Sequence, residues 1–440
     1  MRKNVRRKHA LLIAYQFPPV GGMSPKIARN YVAALAGDGY DVDVVTPAAS
    51  PDHPVYRIDH SSQGHDCIEG VTLHRTYPGP LYRLACRAAR KPRVAATPAT
   101  PANADAARAA YRRLIRPWMI PDGRADWLPW AIAKATSLIL RRPYDLLVTY
   151  AFPYTCHFVG FALRPWIRGP WILNQGDLWS FSPGVNLPRW RLAIDRMLER
   201  AVLIRGTRII VTNDEMIAGY REHFPEVPES RFAVIPIGYD RQTYERSAPE
   251  ISARFRFAYT GALPVYGRGL YTFLEGLARA RREESIDAEC VIAGTMPQEI
   301  RDFASRLGLG DAVEFRGFQP SSAVAALQLG AHVLVMVGMP KGLQVPSKVY
   351  EYFAAKRPIL GVRCDEADIA ARSVSRHNRG LSVPDDVGEV ERAIASLHKM
   401  WKSGSLDRSF DLAGVPAHDW DEVGRRFLAA VQEAERAWHA

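Results

Sequence analysis

The chain has 440 residues, 47% of them hydrophobic and 24% charged, with a net charge of +12. That length exceeds one ordinary core and suits two domains of roughly 200 residues each, and the composition excludes a wholly disordered chain. The five cysteines (Cys67, Cys86, Cys156, Cys290, Cys364) form no CxxC pair and have no His cluster nearby. This argues against a disulfide framework or structural zinc, implies no metal, and fits a reducing cytosol.

The basic start, Met1 to Lys8, runs into an apolar segment, Ala10–Tyr15, too short for a secretory leader. Ala10–Tyr15 reads instead as a buried strand, followed by a loop from Gln16 to Met23. Ser24-Pro25 then reads as an N-cap with proline in the first helical turn. Ile27, Tyr31 and Leu35 recur at helical spacing until Gly37-Asp38-Gly39 supplies a left-handed stop. Asp41–Val45 is the next strand, and the resulting βαβ unit makes the two strands parallel.

Arg83, Arg87, Arg90, Lys91, Arg93, Arg108, Arg112, Arg113 and Arg116 crowd one region, opposed there only by Asp105. Such a patch attracts acidic lipid headgroups, nucleic acid or phosphorylated substrates; equally, it is a solvated arginine-rich surface. Within it, Pro92–Asn103 is rich in Ala, Pro and Thr and reads as a mobile excursion. Order returns with a helix over Leu128–Leu140. Leu146–Leu163 has no formal charge and is barely long enough to cross a bilayer, but it contains Pro153 and His157. A strand (Leu146–Tyr150), a loop and a helix (Thr155–Leu163) account for it better. Trp171–Asn174, Ile209–Thr212 and Phe232–Ile235 are further strands, and Arg189–Ile204 is a helix.

A second alternating unit begins near Phe255. Phe257–Gly261 is a strand entering a glycine-bearing loop, Ala262 to Gly269, and the helix after it carries Leu270, Phe273, Leu274 and Leu277 on one face. Cys290–Ala293, Val313–Arg316 and His332–Val337 are strands, alternating with helices over Glu299–Leu307 and Ser322–Leu329. The fold class is therefore α/β: two doubly wound, Rossmann-like sheets in tandem. Ligands of such folds bind beyond the carboxyl ends of the strands, here in a cleft between the sheets.

Four segments carry candidate chemistry. Gly21 and Gly22, between the first strand and first helix, allow close backbone approach to a phosphate, or form a plain tight loop. The segment is neither a GxGxxG fingerprint nor a Walker motif, which disfavours an NAD enzyme. Ser347 reads as an N-cap that places Lys348 in the first turn of a helix and Glu351 three residues later on the same face. A lysine there opposes the helix dipole unless an anion is bound; a diphosphate satisfies both, with Glu351 free for ribose hydroxyls. Otherwise the two form an i,i+3 surface pair worth about 0.2–0.5 kcal/mol. Arg268, flanked by Gly267 and Gly269, is placed to neutralise a departing diphosphate, or is simply solvated. In Asn174-Gln175-Gly176-Asp177-Leu178-Trp179, past a strand end, Asp177 can bind hydroxyls and Trp179 can face a sugar ring; alternatively Asp177 caps the next turn.

These segments together resemble family 4 glycosyltransferases, especially the bacterial branch of surface-polysaccharide and lipopolysaccharide assembly. The resemblance runs through Phe17-Pro18-Pro19 with Gly21-Gly22, Gly39-Tyr40-Asp41-Val42, Asp126-Trp127 and Gly176-Asp177-Leu178-Trp179. It continues through Val234–Asp240, Tyr259-Thr260-Gly261 and, most strongly, Pro346-Ser347-Lys348 with Glu351-Tyr352 and Pro358-Ile359. It implies a GT-B fold with an acceptor-side domain, residues 1–240, completed by a crossover helix in 418–440, and a nucleotide-sugar domain, 241–417. It also implies a UDP- or GDP-sugar donor, retention of configuration, no metal and no cofactor. The acceptor would be a lipid-linked glycan or polysaccharide. No nucleic acid partner is implied, and the protein would sit in the cytoplasm, peripheral on anionic membrane. By position, Gly21, Gly22, Gly261, Arg268, Ser347, Lys348 and Glu351 would bind the donor, and Asp177, Arg268 and Lys348 would act in catalysis. Three positions depart from the pattern: Leu343 stands where many members carry a second Glu, Ala262 where an arginine commonly follows the glycine, and Lys356-Arg357 in place of Gly-Lys. A non-hydrolysing sugar-nucleotide epimerase and an inactive nucleotide-sugar- or membrane-binding subunit are the competing readings.

Overall fold

The computed structural model describes residues 7–53, 56, 58–59, 67–90, 116–182, 187–261, 268–338, 345–363 and 365–439. The apolar run after Lys8 becomes strand β1 (His9–Ala14), with Ala10 to Ala14 all buried. Apolar residues without alternation suit a strand covered on both faces, and β1 takes such a central place. The first sheet has the order β3 (Val71–Thr76), β2 (Asp41–Pro47), β1, β4 (Leu146–Ala151), β5 (Trp171–Gln175), β6 (Arg208–Val211), β7 (Phe232–Val234). Every neighbouring pair is parallel. Its helices are α1 (Met23–Gly37), α2 (Pro80–Arg90), α3 (Leu128–Ile139), α4 (Thr155–Leu163), α5 (Arg189–Arg205) and α6 (Asp214–His223).

The second sheet repeats the plan: β10 (Val313–Gly317), β9 (Ala288–Ala293), β8 (Phe255–Thr260), β11 (Val333–Val337), β12 (Ile359–Arg363), β13 (Gly380–Pro384), again all parallel. Around it lie α7 (Arg241–Arg246), α8 (Arg268–Glu283), α9 (Gln298–Arg306), α10 (Ser321–Gly330), α11 (Lys348–Ala355), α12 (Ile369–Arg376) and α13 (Val387–Lys402). The expected doubly wound α/β architecture is what forms. One face of this sheet packs Phe257, Phe273 and Leu277 with Val390 and Ile394; the other packs Val291 and Leu334 with Val349 and Phe353. Chain order reverses between β1 and β4 in the first sheet and between β8 and β11 in the second. These are the switch points at which open α/β sheets take their ligands.

The chain divides into one unit of Met1–Pro236 with Gly424–Ala440 and another of Ile237–Val423. The last helix, α14 (Trp420–His439), thus starts in the second unit and belongs to the first from Gly424 onward. Its apolar stripe buries Phe427 and Val431. Phe427 stacks on Tyr31 of α1 with ring centroids 4.0 Å apart and planes at 5°. Glu435 accepts from the Tyr40 hydroxyl at 2.6 Å and pairs with Lys8 at 2.7 Å.

One local expectation is corrected and another is met. Helix α1 begins at Met23 with Gly22 at the cap position, so Ser24 lies inside the first turn and does not cap it. The segment Leu146–Leu163 is β4 and α4, and among the described residues no helix is long and apolar enough to cross a membrane. The run Pro92–Asn103, Arg93, Arg108, Arg112, Arg113, Ala262 and Leu343 lie outside the described residues. Because Phe427 is fully buried against a flat partner ring, Phe427→Ala should destabilise the first unit by about 3–5 kcal/mol, the range for truncating a core Phe. Denaturant unfolding of the full chain, followed by fluorescence, reads this directly.

Candidate functional site

Each sheet delivers candidate residues to its switch point. In the second unit, Gly261 follows the last residue of β8 at φ +144°. A Cβ there would stand 3.6 Å from Lys348 Cγ and 3.7 Å from Cε, so the lysine stem lies against the glycine. Lys348 opens α11, and its ammonium pairs with Glu351 at 2.6 Å. The pair anticipated as an alternative to ligand binding therefore does form, and it half-buries Lys348 while nearly burying Glu351. Ser347 occupies the N-cap position, but its hydroxyl makes no capping bond, which leaves the first turn without side-chain satisfaction.

Neighbouring strand ends are also built from glycine. Gly294 follows β9 at φ +146°, and a Cβ there would come within 1.8 Å of the Gly261 carbonyl oxygen. Backbone meets backbone at this edge, so no side chain can intervene between the β8 and β9 ends. The residue that sequence reasoning underused is Tyr352. Its hydroxyl donates to Val335 O of β11 at 3.0 Å and accepts from Thr260 N at 3.1 Å. It thereby fixes α11 over the gap between the two central strands. Its spacing from Lys348, i,i+4 on the opposite side of Glu351, was the available signal.

Arg268 is corrected from loop to helix: it is the first residue of α8, with an 84% exposed side chain. It faces Asp385, just past β13, at 3.6 Å, and Asp385 also accepts from the Thr272 hydroxyl. Arg268 and Lys348 thus each have a carboxylate partner of their own. The structure groups Gly261, Ser347, Lys348 and Glu351 directly, while Arg268 pairs with Asp385.

In the first unit, Gly21 and Gly22 lie between β1 and α1. Gly22 has φ +120°, and nothing stands closer to a Cβ than Pro25 at 4.0 Å, so conformation and not space requires glycine there. The loop before them is held by Arg75, which donates to Pro18 O at 2.6 Å, and by Asp59 N to Pro19 O at 2.9 Å.

Strand β5 runs through Gln175, and Asp177 is exposed just beyond it. Trp179 is not available to a sugar: it is 3% exposed and stacks on Tyr154 at 4.5 Å. Its neighbours tie the Asp177 loop down. Tyr154 donates to Leu178 O at 2.5 Å, and Ser180 N donates to Glu199 Oε2 of α5 at 3.0 Å. Burial pushes the Glu199 carboxyl up to about 7, with Ser180 and Tyr220 opposing. Among the described residues no group of three or more His, Cys, Asp or Glu is arranged to hold a metal ion.

Comparison with known proteins follows the same division. A glycosyl transferase 4-like domain model matches residues 21–238, and a glycosyl transferases group 1 model matches 240–410. No curated protein sequence matches significantly. Among solved structures, the chain is similar to sucrose-phosphate synthase from Thermosynechococcus elongatus (TM-score 0.61, 18% identity, 98% of this chain and 96% of that one). It is also similar to Anabaena HepE in complex with UDP and glucose (TM-score 0.60, 14% identity, 98% and 100%). A Listeria monocytogenes protein described as a UDP-N-acetylglucosamine 2-epimerase is similar as well (TM-score 0.59, 10% identity, 98% and 97%). At these identities the three likenesses speak to the fold.

Because Glu199 binds its proton more tightly when folded (about 7 against an ordinary 4.5), folding takes up protons between those pH values, and stability falls as pH rises through that window. Glu199→Gln removes the ionisation while keeping an acceptor for Ser180. Its stability relative to the parent should therefore grow by on the order of 3 kcal/mol from pH 4.5 to 7.5. Urea titrations across that range check this; a constant difference would place the Glu199 titration near its unfolded value.

Proposed function

The chain belongs to the glycosyltransferases of the GT-B type, and we propose that within them it is a retaining, metal-independent family 4 enzyme. It moves a sugar from a UDP- or GDP-sugar to a lipid-linked or polysaccharide acceptor in cell-surface glycan synthesis. The observation that carries this reading is the seating of Lys348, paired with Glu351, on Gly261 at the β8/β11 switch point. A nucleoside diphosphate docked there meets a glycine-edged strand end, a helix N-terminus without a side-chain cap and an ammonium group. The complex of HepE with UDP and glucose supports the same donor chemistry.

On this reading the diphosphate draws Lys348 away from Glu351, and the freed carboxylate accepts from ribose hydroxyls. Arg268, already in the first turn of α8, supplies a second cation as charge develops on the leaving diphosphate. Gly21 and Gly22 offer backbone N–H groups to phosphate oxygens. Asp177, exposed beyond β5, holds the transferred sugar or the acceptor. No side-chain nucleophile is required, since the leaving oxygen can take the acceptor proton.

Anionic lipid is the proposed setting. Helix α2 buries Tyr82 and Cys86 and exposes Leu81, Leu84, Arg83 and Arg87, and Trp118 is 73% exposed. Apolar tips interleaved with arginines suit an interfacial helix.

The test is a nucleotide-sugar panel read for released nucleoside diphosphate. Release that depends on acceptor supports transfer; epimer formation without acceptor would replace the proposal with an epimerase, and binding without turnover with an inactive subunit. Lys348→Ala should lower turnover by about 10²–10³, the scale for losing one transition-state charge partner; unchanged turnover removes Lys348 from the mechanism. Reversal of both Arg83 and Arg87 to Glu should abolish co-sedimentation with phosphatidylglycerol vesicles, and retained binding would count against the membrane seat.

A further inference from the structure

The first unit contains a cation that the proposed donor chemistry does not use. Arg124 sits in the segment joining Arg116 to α3, and this segment is fixed at three points. The buried Arg191 guanidinium of α5 donates to the carbonyls of Pro117 and Met119 at 2.9 Å each and of Pro121 at 2.8 Å. Asp122 accepts from Thr155 N and Oγ1, at 2.8 and 2.7 Å, at the start of α4. Trp127 Nε1 donates to Thr76 Oγ1 at 2.7 Å. A loop held in this way presents its one arginine at a defined place.

That place is the switch point of the first sheet. The Arg124 guanidinium lies 5.7 Å from the ring centre of Tyr15, the residue after β1, and 4.9 Å from that of Tyr56. Its Nε donates to the Tyr56 hydroxyl at 3.0 Å. No carboxylate of the described residues lies within ion-pair distance of it. Asp122 acts on it only from further off, its oxygens being engaged by Thr155 and by the Arg124 backbone N–H at 2.8 Å. The side chains in contact with the guanidinium, Tyr15 and Tyr56, are neutral. Burial and the nearby Arg124 hold His53 down at about 4, and the hydroxyl of Tyr15 is buried without a hydrogen-bond partner. Among the described residues the guanidinium donates only to neutral oxygens, the Tyr56 hydroxyl and the Gly123 carbonyl at 3.3 Å, while the buried Tyr15 hydroxyl has no partner at all; an anion would complete both.

We propose that Arg124, with Tyr15 and Tyr56, binds an oxyanion of the acceptor, a phosphate or a carboxylate, at the carboxyl ends of β1 and β4. This deepens the proposed transfer reaction and rests on it: the acceptor is then an anionic molecule and not a neutral glycan. Guanidinium recognition of either oxyanion is bidentate, and the tyrosine rings supply apolar walls beside the charged group.

Isothermal titration on the full chain, with UDP and GDP both present in excess to fill the second unit, tests this with three probes: octyl phosphate, octanoate and octyl glucoside. The parent protein should take up one or both anions and not the neutral glucoside. Arg124→Gln should weaken that uptake about 10- to 100-fold, the equivalent of losing one or two charged hydrogen bonds, whereas Arg124→Lys should lose only part of it. The stronger of the two anions identifies the acceptor group. Equal affinity for octyl glucoside in the parent protein, or undiminished anion uptake in Arg124→Gln, overturns the proposal. Binding of UDP and of GDP is read separately in the same proteins: absence of both would sink the transferase reading, while retention of either with unchanged anion uptake would sink only the role of Arg124.

Discussion

The Tyr352 hydroxyl is the point on which the second unit's site depends. It bridges Val335 of β11 and Thr260 of β8, and both strands are central and parallel, so their pleats cannot shift independently. Because Tyr352 is one turn along from Lys348, fixing its hydroxyl also fixes the start of α11 over Gly261. The Thr260 hydroxyl is held in turn by Gln328 at 2.7 Å, and Gln328 accepts from Tyr244 at 2.6 Å. A chain of buried hydroxyl and amide groups therefore runs from α7 through α10 to the strand ends. Such a network is stabilising only when every member is satisfied. The lysine and glutamate above it sit on a foundation that has little freedom to drift.

The first unit solves the same problem differently. Its loops are positioned by charged groups of α5 turned inward: Arg191, Asp195 and Glu199 are all buried at i,i+4 spacing. Arg191 pairs with Asp195 at 2.8 Å and spends its remaining donors on three carbonyls of one loop, while Glu199 holds Ser180 in another. Buried charges are costly unless fully bonded, so these residues specify loop geometry at some expense in stability. The raised Glu199 is where that expense shows.

Strands such as β1 and β11 were legible because unbroken apolar runs of four to eight residues between turn signals have few alternatives. Lys348, Glu351 and Gly261 were legible as a spacing pattern. What the sequence does not display is which partner a side chain chooses. Trp179 looks like a sugar platform until Tyr154 is found lying flat on it, and Ser24 looks like a cap until the helix is found to start two residues earlier, at Met23. Helix α2, with its arginines, resembles solvated surface, and only the burial of Tyr82 and Cys86 gives it an inside. Arg191 and Glu199 read as ordinary exposed positions of a polar helix; their burial is set by loops distant in sequence. Arg124 belongs to the same class, since its importance comes from the strand end it faces.

The stacking of Phe427 on Tyr31 has a consequence for synthesis. The first unit's strands leave the ribosome early, but the helix that covers Tyr31 is translated only after the whole of Ile237–Val423. At 5–20 residues per second, those roughly 200 intervening residues take about 10–40 s. During that interval the nascent chain carries an uncovered aromatic face on α1, and at its end the second unit gains its last segment before the first unit does. The later-made half is therefore able to reach its final state first.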